Sequence, residues 1–317
     1  MLLFGGAQAW WNEGHLLVNR VAMLVLEEES PMLPMKVNGI LADLSNAFPD
    51  MTPSENLLPF VECATWADEI KAKGGSFQSE WHFTDIPTLD QGGRLSDFDY
   101  TPQVHNVTQA IKEIKSWAKQ EDGYQESFYY QQITKNWPNM TEEVRFSAAL
   151  RLLVHYVGDV HQPLHASSRF DLEHVSGDRG GNDFPVPSKD GIKNMHAVFD
   201  SVMYEYEGND IHLPFTEESF GVFDKKAMDL MGRWGKEDLF DTTEKDPEVW
   251  AEESYIWAYN TAFNTDDIME NEPFDEEFIK GVRELLEVRI VSAGYRLAIL
   301  MQDLFMDDSE EVKFLQI

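Results

Sequence analysis

The stretch FSAALRLLVHYVGDVHQPLH, at residues 146–165, joins a helical pattern to a group of candidate metal ligands. Its first part is rich in Ala, Leu and Val and predicts a helix that is buried on most sides. His155 and Asp159 are four residues apart, so both side chains point to one face of that helix. Pro163 then ends or bends the helix, and His165 follows within reach of the same space. The stretch therefore predicts a buried helix that presents an imidazole, a carboxylate and, just beyond its end, a second imidazole.

A second imidazole and carboxylate pair repeats this spacing at NMHAVFD, residues 194–200, where His196 precedes Asp200 by four positions. An imidazole and a carboxylate at helical spacing form a workable zinc chelate. A buried ion pair explains either pair alone equally well. Two such pairs together with His165 favour a metal site over two separate ion pairs.

Two segments nearer the N-terminus add more polar groups to apolar surroundings. Asp68 lies beside Trp66 in a helical, mostly apolar run, where a carboxylate needs a partner. Lys71, three residues later, could pair with Asp68 or face the same site, although a solvated helix face would explain both residues as well. WHFTD, at residues 81–85, supplies another imidazole, an aromatic ring and another carboxylate.

The composition predicts one globular domain with an acidic surface. The 317 residues are 43% hydrophobic and include 57 acidic against 25 basic side chains, for a formal charge of −32. This charge argues against a basic nucleic-acid-binding surface, so any phosphate ligand would need a local positive site, which metal ions could supply. Cys63 is the lone cysteine and excludes an intramolecular disulfide. No apolar run is long enough for a membrane anchor.

The periodicity of apolar residues predicts an all-α fold, with a single mainly helical domain. Strand-like alternation is scarce, and Gly and Pro cluster between residues 167 and 190, which predicts a loop or a short hairpin there. The clearest helical patterns cover residues 16–25, 107–118, 146–156 and 279–301.

The N-terminus, MLLFGGAQA at residues 1–9, ends in a small-x-small pattern typical of a signal-peptidase site. It lacks a basic start and is short for a complete signal peptide, so an ordinary apolar N-terminus is the alternative. We interpret residues 1–9 as a truncated signal peptide before a domain at 10–317, and we expect secretion or delivery to an endolysosomal or vacuolar lumen. The sequons at Asn106 and Asn139 would then permit glycosylation. Cleavage after Ala9 would give Trp10 a free amine that could chelate a metal together with its own carbonyl, and His15 could join them.

Taken in chain order, these motifs resemble the single-strand-specific zinc nucleases of fungi and plants. These class I nucleases share a superfamily with bacterial zinc phospholipase C and with the 3′-nucleotidase/nucleases. Later segments, WAEES at 250–254 and GYRLA at 294–298, resemble the C-terminal helices of the family. The motifs that carry the resemblance are Trp10-x-x-x-Gly14-His15, Trp66-Ala-Asp68, His82-Phe83-x-Asp85, His155-x-x-Gly158-Asp159-x-x-Gln-Pro-Leu-His165, Gly180-Gly181-Asn182 and His196-x-x-x-Asp200.

The resemblance implies an all-α fold that holds three zinc ions per chain in a cleft. By position, Asp159 would bridge the first and third ions. The first zinc would be held by Asp68, His82, His155 and Asp159, the second by His165, His196 and Asp200, and the third by His15, Asp159 and the amine and carbonyl of Trp10.

The resemblance also implies hydrolysis of single-stranded DNA and RNA to 5′-phosphate products through a metal-bridging hydroxide, with 3′-nucleotidase activity as a further expectation. Asp68 and Lys71 would be catalytic, with the Lys71 ammonium stabilising the phosphorane. Phe83 would stack on a base that hydrogen-bonds to Asp85 and Asn182. The expected partner is single-stranded nucleic acid or a 3′-nucleotide, bound by a monomer. The alternatives are a zinc-dependent phospholipase C and an inert zinc-binding helical protein.

Overall fold

Most of the chain forms helices, which surround one long central helix. The computed structural model describes residues 10–89, 93–206, 211–263 and 268–306. The predicted leader, at residues 1–9, and the end of the predicted domain, at residues 307–317, lie outside the described residues. The helices are α1 (Asn12–Glu29), α2 (Leu33–Ala47), α3 (Pro59–Glu62), α4 (Trp66–Glu69), α5 (Val107–Ala118), α6 (Phe128–Asn136), α7 (Glu142–His161), α8 (Met195–Asp200), α9 (Glu217–Arg233), α10 (Pro247–Ala258) and α11 (Glu276–Phe305).

Helix α7 is the central helix, and it is buried over almost its whole length. Its N-cap residue Thr141 accepts a hydrogen bond from the backbone N–H of Val144, which satisfies one of the free donors of the first turn. The helix ends at His161, one residue before Gln162-Pro163, because proline has no N–H to continue the ladder. The predicted central helix is therefore confirmed, together with its end before Pro163.

Helices α1 and α11 pack along each other on one side of α7. Their close approach depends on Gly294, where an added Cβ atom would lie 2.5 Å from the Cβ atom of Val21. The helical patterns at residues 16–25 and 279–301 fall inside these two helices, and the pattern at 107–118 coincides with α5. Among the described helices, none combines the length and the hydropathy that crossing a membrane would require.

The described residues include four short strands where the sequence shows little alternation: β1 (Ile86–Leu89), β2 (Ser167–Phe170), β3 (Pro185–Lys189) and β4 (Ile192–Asn194). Strands β3 and β4 form the short antiparallel hairpin that the Gly and Pro cluster allowed for. Strands β1 and β2 pair in parallel, with Ile86 opposite Ser167. This parallel pair is not expected from the sequence, and it holds the segment after His82 beside the segment after His165.

Candidate metal centre

Candidate ligands converge around the last turns of α7 and the residues that follow it. Within the described part of the chain they form three groups, and within each group one ligand atom per residue lies within 4.8 Å of the others. Every group contains a residue from the stretch 155–165, so α7 and its C-terminal extension join all three. The groups are His15, His155 and Asp159; Asp68, His82 and His155; and His165, His196 and Asp200.

Asp159 lies at the centre of the first two groups. Its Oδ1 atom is 3.3 Å from Nε2 of His15 and 3.3 Å from Nε2 of His155. Its Oδ2 atom is 2.7 Å from Nδ1 of His82. None of these five atoms makes a hydrogen bond to any described residue, although all are buried. Buried polar atoms that converge without hydrogen bonds fit a bound cation.

The imidazole rings are oriented by contacts on their outer nitrogens. Nδ1 of His155 lies 2.6 Å from the Ala64 carbonyl, and Nδ1 of His196 lies 2.7 Å from the Gly180 carbonyl. Because a carbonyl oxygen only accepts, each of these Nδ1 atoms carries the proton and Nε2 keeps its lone pair. Such outer contacts are typical of metal-binding histidines.

His165 and His196 direct their inner nitrogens towards each other. Nδ1 of His165 lies 2.9 Å from the His82 carbonyl, so its Nε2 atom also keeps a lone pair. The Nε2 atoms of His165 and His196 are 3.2 Å apart. Asp200 brings Oδ2 to 3.6 Å from Nε2 of His196, while its Oδ1 atom accepts a 2.6 Å hydrogen bond from Gln162. Two facing lone pairs beside a carboxylate fit a zinc ion, which takes nitrogen and oxygen ligands of this kind.

Burial controls the protonation of the candidate ligands. It lowers the pKa of His15, His82 and His165 well below the usual range, and neighbouring positive groups, Lys71 among them, add to the effect. Burial also raises the pKa of Asp159 well above its usual range, and the Asp68 carboxylate raises it further. Neutral imidazoles are ready to bind a metal, whereas buried carboxylates need a nearby cation to ionise.

The first described residues lie against this centre. The Trp10 ring is buried, and its Nε1 atom donates a 2.9 Å hydrogen bond to the Gly158 carbonyl, next to Asp159. The ring of His15 stacks on that of His155 with 3.9 Å between the ring centroids. Gly158 makes this stack possible, because an added Cβ atom there would lie 2.6 Å from Nδ1 of His15. Coordination by the Trp10 amine depends on cleavage after Ala9 and stays a prediction.

Lys71 and Asp68 form an ion pair at the edge of the centre. The Lys71 ammonium lies 2.6 Å from Oδ1 of Asp68, whose Oδ2 atom is 3.7 Å from Nε2 of His155. The side chains of Lys71 and Asp68 are only 18% and 6% exposed. A solvated helix face is therefore excluded for this pair, and the ammonium lies next to a candidate ligand.

Of the three predicted base-binding residues, Phe83 contacts His165 and Asn182 follows a residue that contacts His196. The half-buried Phe83 ring stacks on His165, with 4.4 Å between the ring centroids. The partly exposed Asn182 follows Gly181, whose carbonyl accepts a hydrogen bond from the N–H of His196. Burial and the nearby Asp178 carboxylate raise the pKa of Asp85 to about 6. No contact joins these three side chains directly among the described residues, so base binding by them stays a prediction.

The sequence motifs include Gly158 and Gln162 without giving either a role, and they do not include Gln78. Gln162 and Gln78 hydrogen-bond to ligand side chains, and Gly158 leaves room for the ring of His15. For Gln78 the one signal in the sequence is its closeness to His82. His161 lies in the stretch 155–165 but outside the three donor groups, and it is fully buried with Nε2 3.0 Å from Arg296.

Known proteins are similar to this chain over nearly its whole length. The profile of the S1/P1 nuclease family matches residues 10–306. Endonuclease 1 of Arabidopsis thaliana is 25% identical over 318 residues, which cover 95% of this chain and 88% of that protein. Nuclease S1 of Aspergillus oryzae is 24% identical over 298 residues, which cover 91% of this chain and 89% of that protein.

Proposed function

The chain belongs to the S1/P1 nuclease family and is a hydrolase that acts on phosphodiester bonds, and from this premise we propose that it is a zinc-dependent nuclease for single strands. The observation that carries the proposal is the buried carboxylate of Asp159, which faces His15, His82 and His155 without making a hydrogen bond to any described residue. We further propose three zinc ions per chain, held by the residues assigned to them above. Zinc, when bound, supplies the Lewis acidity that hydrolysis of a phosphodiester needs.

The residues of the chain supply the orientation and the remaining charge. Lys71 holds an ammonium beside Asp68, where it would stabilise negative charge that develops on the phosphoryl oxygens. The Phe83 ring offers a face to one base, which must be unpaired to stack there. Asp85 and Asn182 would hydrogen-bond the edge of that base. We propose 5′-phosphate products and an additional 3′-nucleotidase activity on this arrangement.

The location and assembly of the protein complete the proposal. Removal of residues 1–9 would free the Trp10 amine beside Asp159 and would accompany secretion or delivery to an endolysosomal or vacuolar lumen. We propose that the protein acts as a monomer. The removal of residues 1–9 and the export that would accompany it can be tested by sequencing the N-terminus of the protein recovered from its natural host. A mature chain that starts at Met1 would contradict both.

Zinc analysis and a substrate panel test the activity. We expect about three zinc ions per chain, which fits the three donor groups, and turnover of single-stranded DNA, RNA and 3′-AMP that chelation abolishes. End-group analysis should find 5′-phosphates. Turnover of phosphatidylcholine without nuclease activity would instead support the phospholipase C alternative. Bound zinc without phosphoesterase activity would support the inert alternative, and absence of zinc would contradict the metal centre.

A pair of histidine variants makes the assignment specific. His155→Ala removes a nitrogen that lies 3.3 Å from Asp159 and should lower both zinc content and activity. His105→Ala is the matched control, because the His105 ring stacks on Phe128 outside the three donor groups. Equal zinc loss in both variants would show that the loss reflects folding rather than ligation.

A further inference from the structure

Gln78 is a fully buried polar side chain to which neither the sequence motifs nor the proposed function gives a role. It lies in the 3-10 helix Ser76–His82, four residues before His82. Its Nε2 atom donates a 2.7 Å hydrogen bond to the carbonyl of Ala67. A carbonyl oxygen only accepts, so this contact fixes which end of the amide is nitrogen and which is oxygen.

The amide oxygen of Gln78 therefore faces two other groups as an acceptor. It lies 2.6 Å from Nε2 of His82 and 2.7 Å from the hydroxyl of Tyr156. Both groups must donate, so Nε2 of His82 carries the ring proton. Nδ1 of His82 then keeps its lone pair, and this atom is the one that faces Oδ2 of Asp159 at 2.7 Å. One hydrogen-bond chain thus determines which nitrogen of His82 is available to a metal.

The same side chain connects the segments that carry the other ligands of this group. Ala67, which accepts from Gln78, directly precedes Asp68. Tyr156, which donates to Gln78, directly follows His155 on α7. The side chain of Gln78 therefore contacts His82 directly, and it contacts the residues that are adjacent in sequence to Asp68 and His155.

His82 differs in this respect from its neighbours in the centre. His155, His165 and His196 each direct the outer nitrogen to a backbone carbonyl, which no side-chain substitution removes. His82 uses a side chain that substitution can change. We propose that Gln78 is a positioning residue, which sets the tautomer and the orientation of His82 at the first zinc, an inference that rests on the proposed zinc centre.

Three variants test this role by metal binding rather than by turnover alone. Gln78→Met keeps the shape and removes the acceptor, so it should weaken zinc binding at one site by about 10- to 100-fold. Gln78→Glu keeps an acceptor for His82, and its buried carboxyl group in the protonated form can still donate to the Ala67 carbonyl, so this variant should retain most of the affinity. Tyr156→Phe is the matched control, because it removes the other hydrogen bond to the same oxygen and leaves His82 in place.

The measurements are zinc content at buffered free zinc and the visible absorption spectrum of the cobalt-substituted protein, with thermal unfolding as a check on folding. We expect a changed cobalt spectrum and lost zinc in Gln78→Met, and near-normal values in Gln78→Glu and Tyr156→Phe. Normal zinc binding and an unchanged spectrum in Gln78→Met would overturn the role, as would an equal loss in Tyr156→Phe. If Gln78→Met does not fold, loss of zinc from a folded Gln78→Glu variant would overturn it instead.

The wild-type protein separates this inference from the proposed function. A wild type without zinc would contradict the metal centre itself. A wild type that binds zinc and cleaves single strands, beside a Gln78→Met variant with normal zinc affinity, would leave the nuclease intact and refute the role of Gln78.

Discussion

At the scale of single residues, the Lys71 ammonium lies 2.6 Å from the candidate ligand Asp68 and is not itself a candidate ligand. We expect Lys71→Met to lower kcat by about 100- to 1,000-fold, because it removes the positive group that the proposed function assigns to the reacting phosphate. Zinc content should stay unchanged. Lys73→Met is the control, since the exposed Lys73 ammonium binds the Asp50 carbonyl in the same segment. A Lys71→Met variant with normal zinc and full kcat would refute a catalytic role.

Asp85 predicts a pH dependence of substrate binding. Its pKa is raised to about 6 by burial and by Asp178, so the carboxylate accepts hydrogen bonds from a base only above that pH. We expect KM for single-stranded DNA to rise as the pH falls through about 6, and Asp85→Asn to remove this inflection. Asp99→Asn, at an exposed position, is the control. An inflection that persists in Asp85→Asn would assign it to another group.

The raised pKa of Asp85 should also make the stability of the folded protein depend on pH. The folded pKa of Asp85 lies above the ordinary value of about 3.8, so its contribution to stability is fully present below about 3.8 and is lost as the pH rises through about 6. Asp85→Asn should therefore be more stable than the wild type at about pH 8, and the advantage should vanish in acid. Urea unfolding at several pH values measures this difference.

At the scale of elements, the packing of α1 against α7 depends on Gly158. A Cβ atom there would lie 2.6 Å from Nδ1 of His15, so Gly158→Ala should displace the ring and lower both zinc content and kcat, the latter by about 100-fold. Gly39→Ala, in helix α2, is the control because nothing lies within 4 Å of its added Cβ atom. It should stabilise the helix by about 0.5–1 kcal/mol. Normal zinc in Gly158→Ala would show that α1 can shift without cost.

The element boundaries also distinguish the two sequons. Asn106 is the N-cap of α5, where its Oδ1 atom accepts hydrogen bonds from the N–H of Gln109 and from the Thr108 hydroxyl. Asn139 is exposed in the turn before α7. We expect a chain that passes through a eukaryotic secretory pathway to carry glycan at Asn139 and not at Asn106. Mass loss on deglycosylation checks this, with Asn139→Gln and Asn106→Gln as paired variants; glycan at Asn106 would contradict the assignment.

Helices were predictable because their apolar periodicity extends over many residues. The pattern at residues 107–118 matches α5, and Pro163 places the end of α7. The parallel pairing of β1 with β2 could not be predicted. Each strand has four residues, too few for a visible alternation, and the pairing joins positions far apart in the chain.

The candidate site was predictable to the extent that its residues have an unusual chemical type at a regular spacing. His155 with Asp159 and His196 with Asp200 stand out in this way. Gln78 and Gly158 do not, because an amide and a glycine occur in many settings and their roles arise only from contacts across the fold. The sequence can indicate the ligands of a metal, but the groups that orient them appear only in three dimensions.

At the scale of the whole molecule, buried polar contacts take the place of cross-links. The described cysteine, Cys63, is buried and unbridged. The C-terminal end of α7 is held instead by α10 and α11: Ser254 donates to the Val160 carbonyl at 2.5 Å, and Arg289 donates to the His161 carbonyl at 3.1 Å. These bonds satisfy carbonyls that the end of a helix leaves free, directly beside Asp159.

The net charge of −32 predicts how the whole molecule meets a polyanion. Its phosphate contacts should be few and local, so kcat/KM should change by less than about tenfold between about 50 and 200 mM salt. A protein that makes many phosphate contacts loses far more, about 10³- to 10⁵-fold in affinity. Initial rates on a single-stranded oligonucleotide across that range test this expectation. A steep loss of activity would contradict it and would point to an extended basic groove.

Every donor group includes a residue from 155–165, so chimaeras of this chain with related nucleases should preserve the spacing within that stretch. A deletion or insertion of one residue between His155 and Asp159 would rotate the following helical side chains by about 100° and would displace Asp159 and His165 relative to His155, which disturbs two of the groups together. A crossover outside the stretch leaves its internal spacing intact. Libraries that shuffle this chain with the Arabidopsis and Aspergillus proteins should therefore inherit residues 155–165 from one parent as an undivided block.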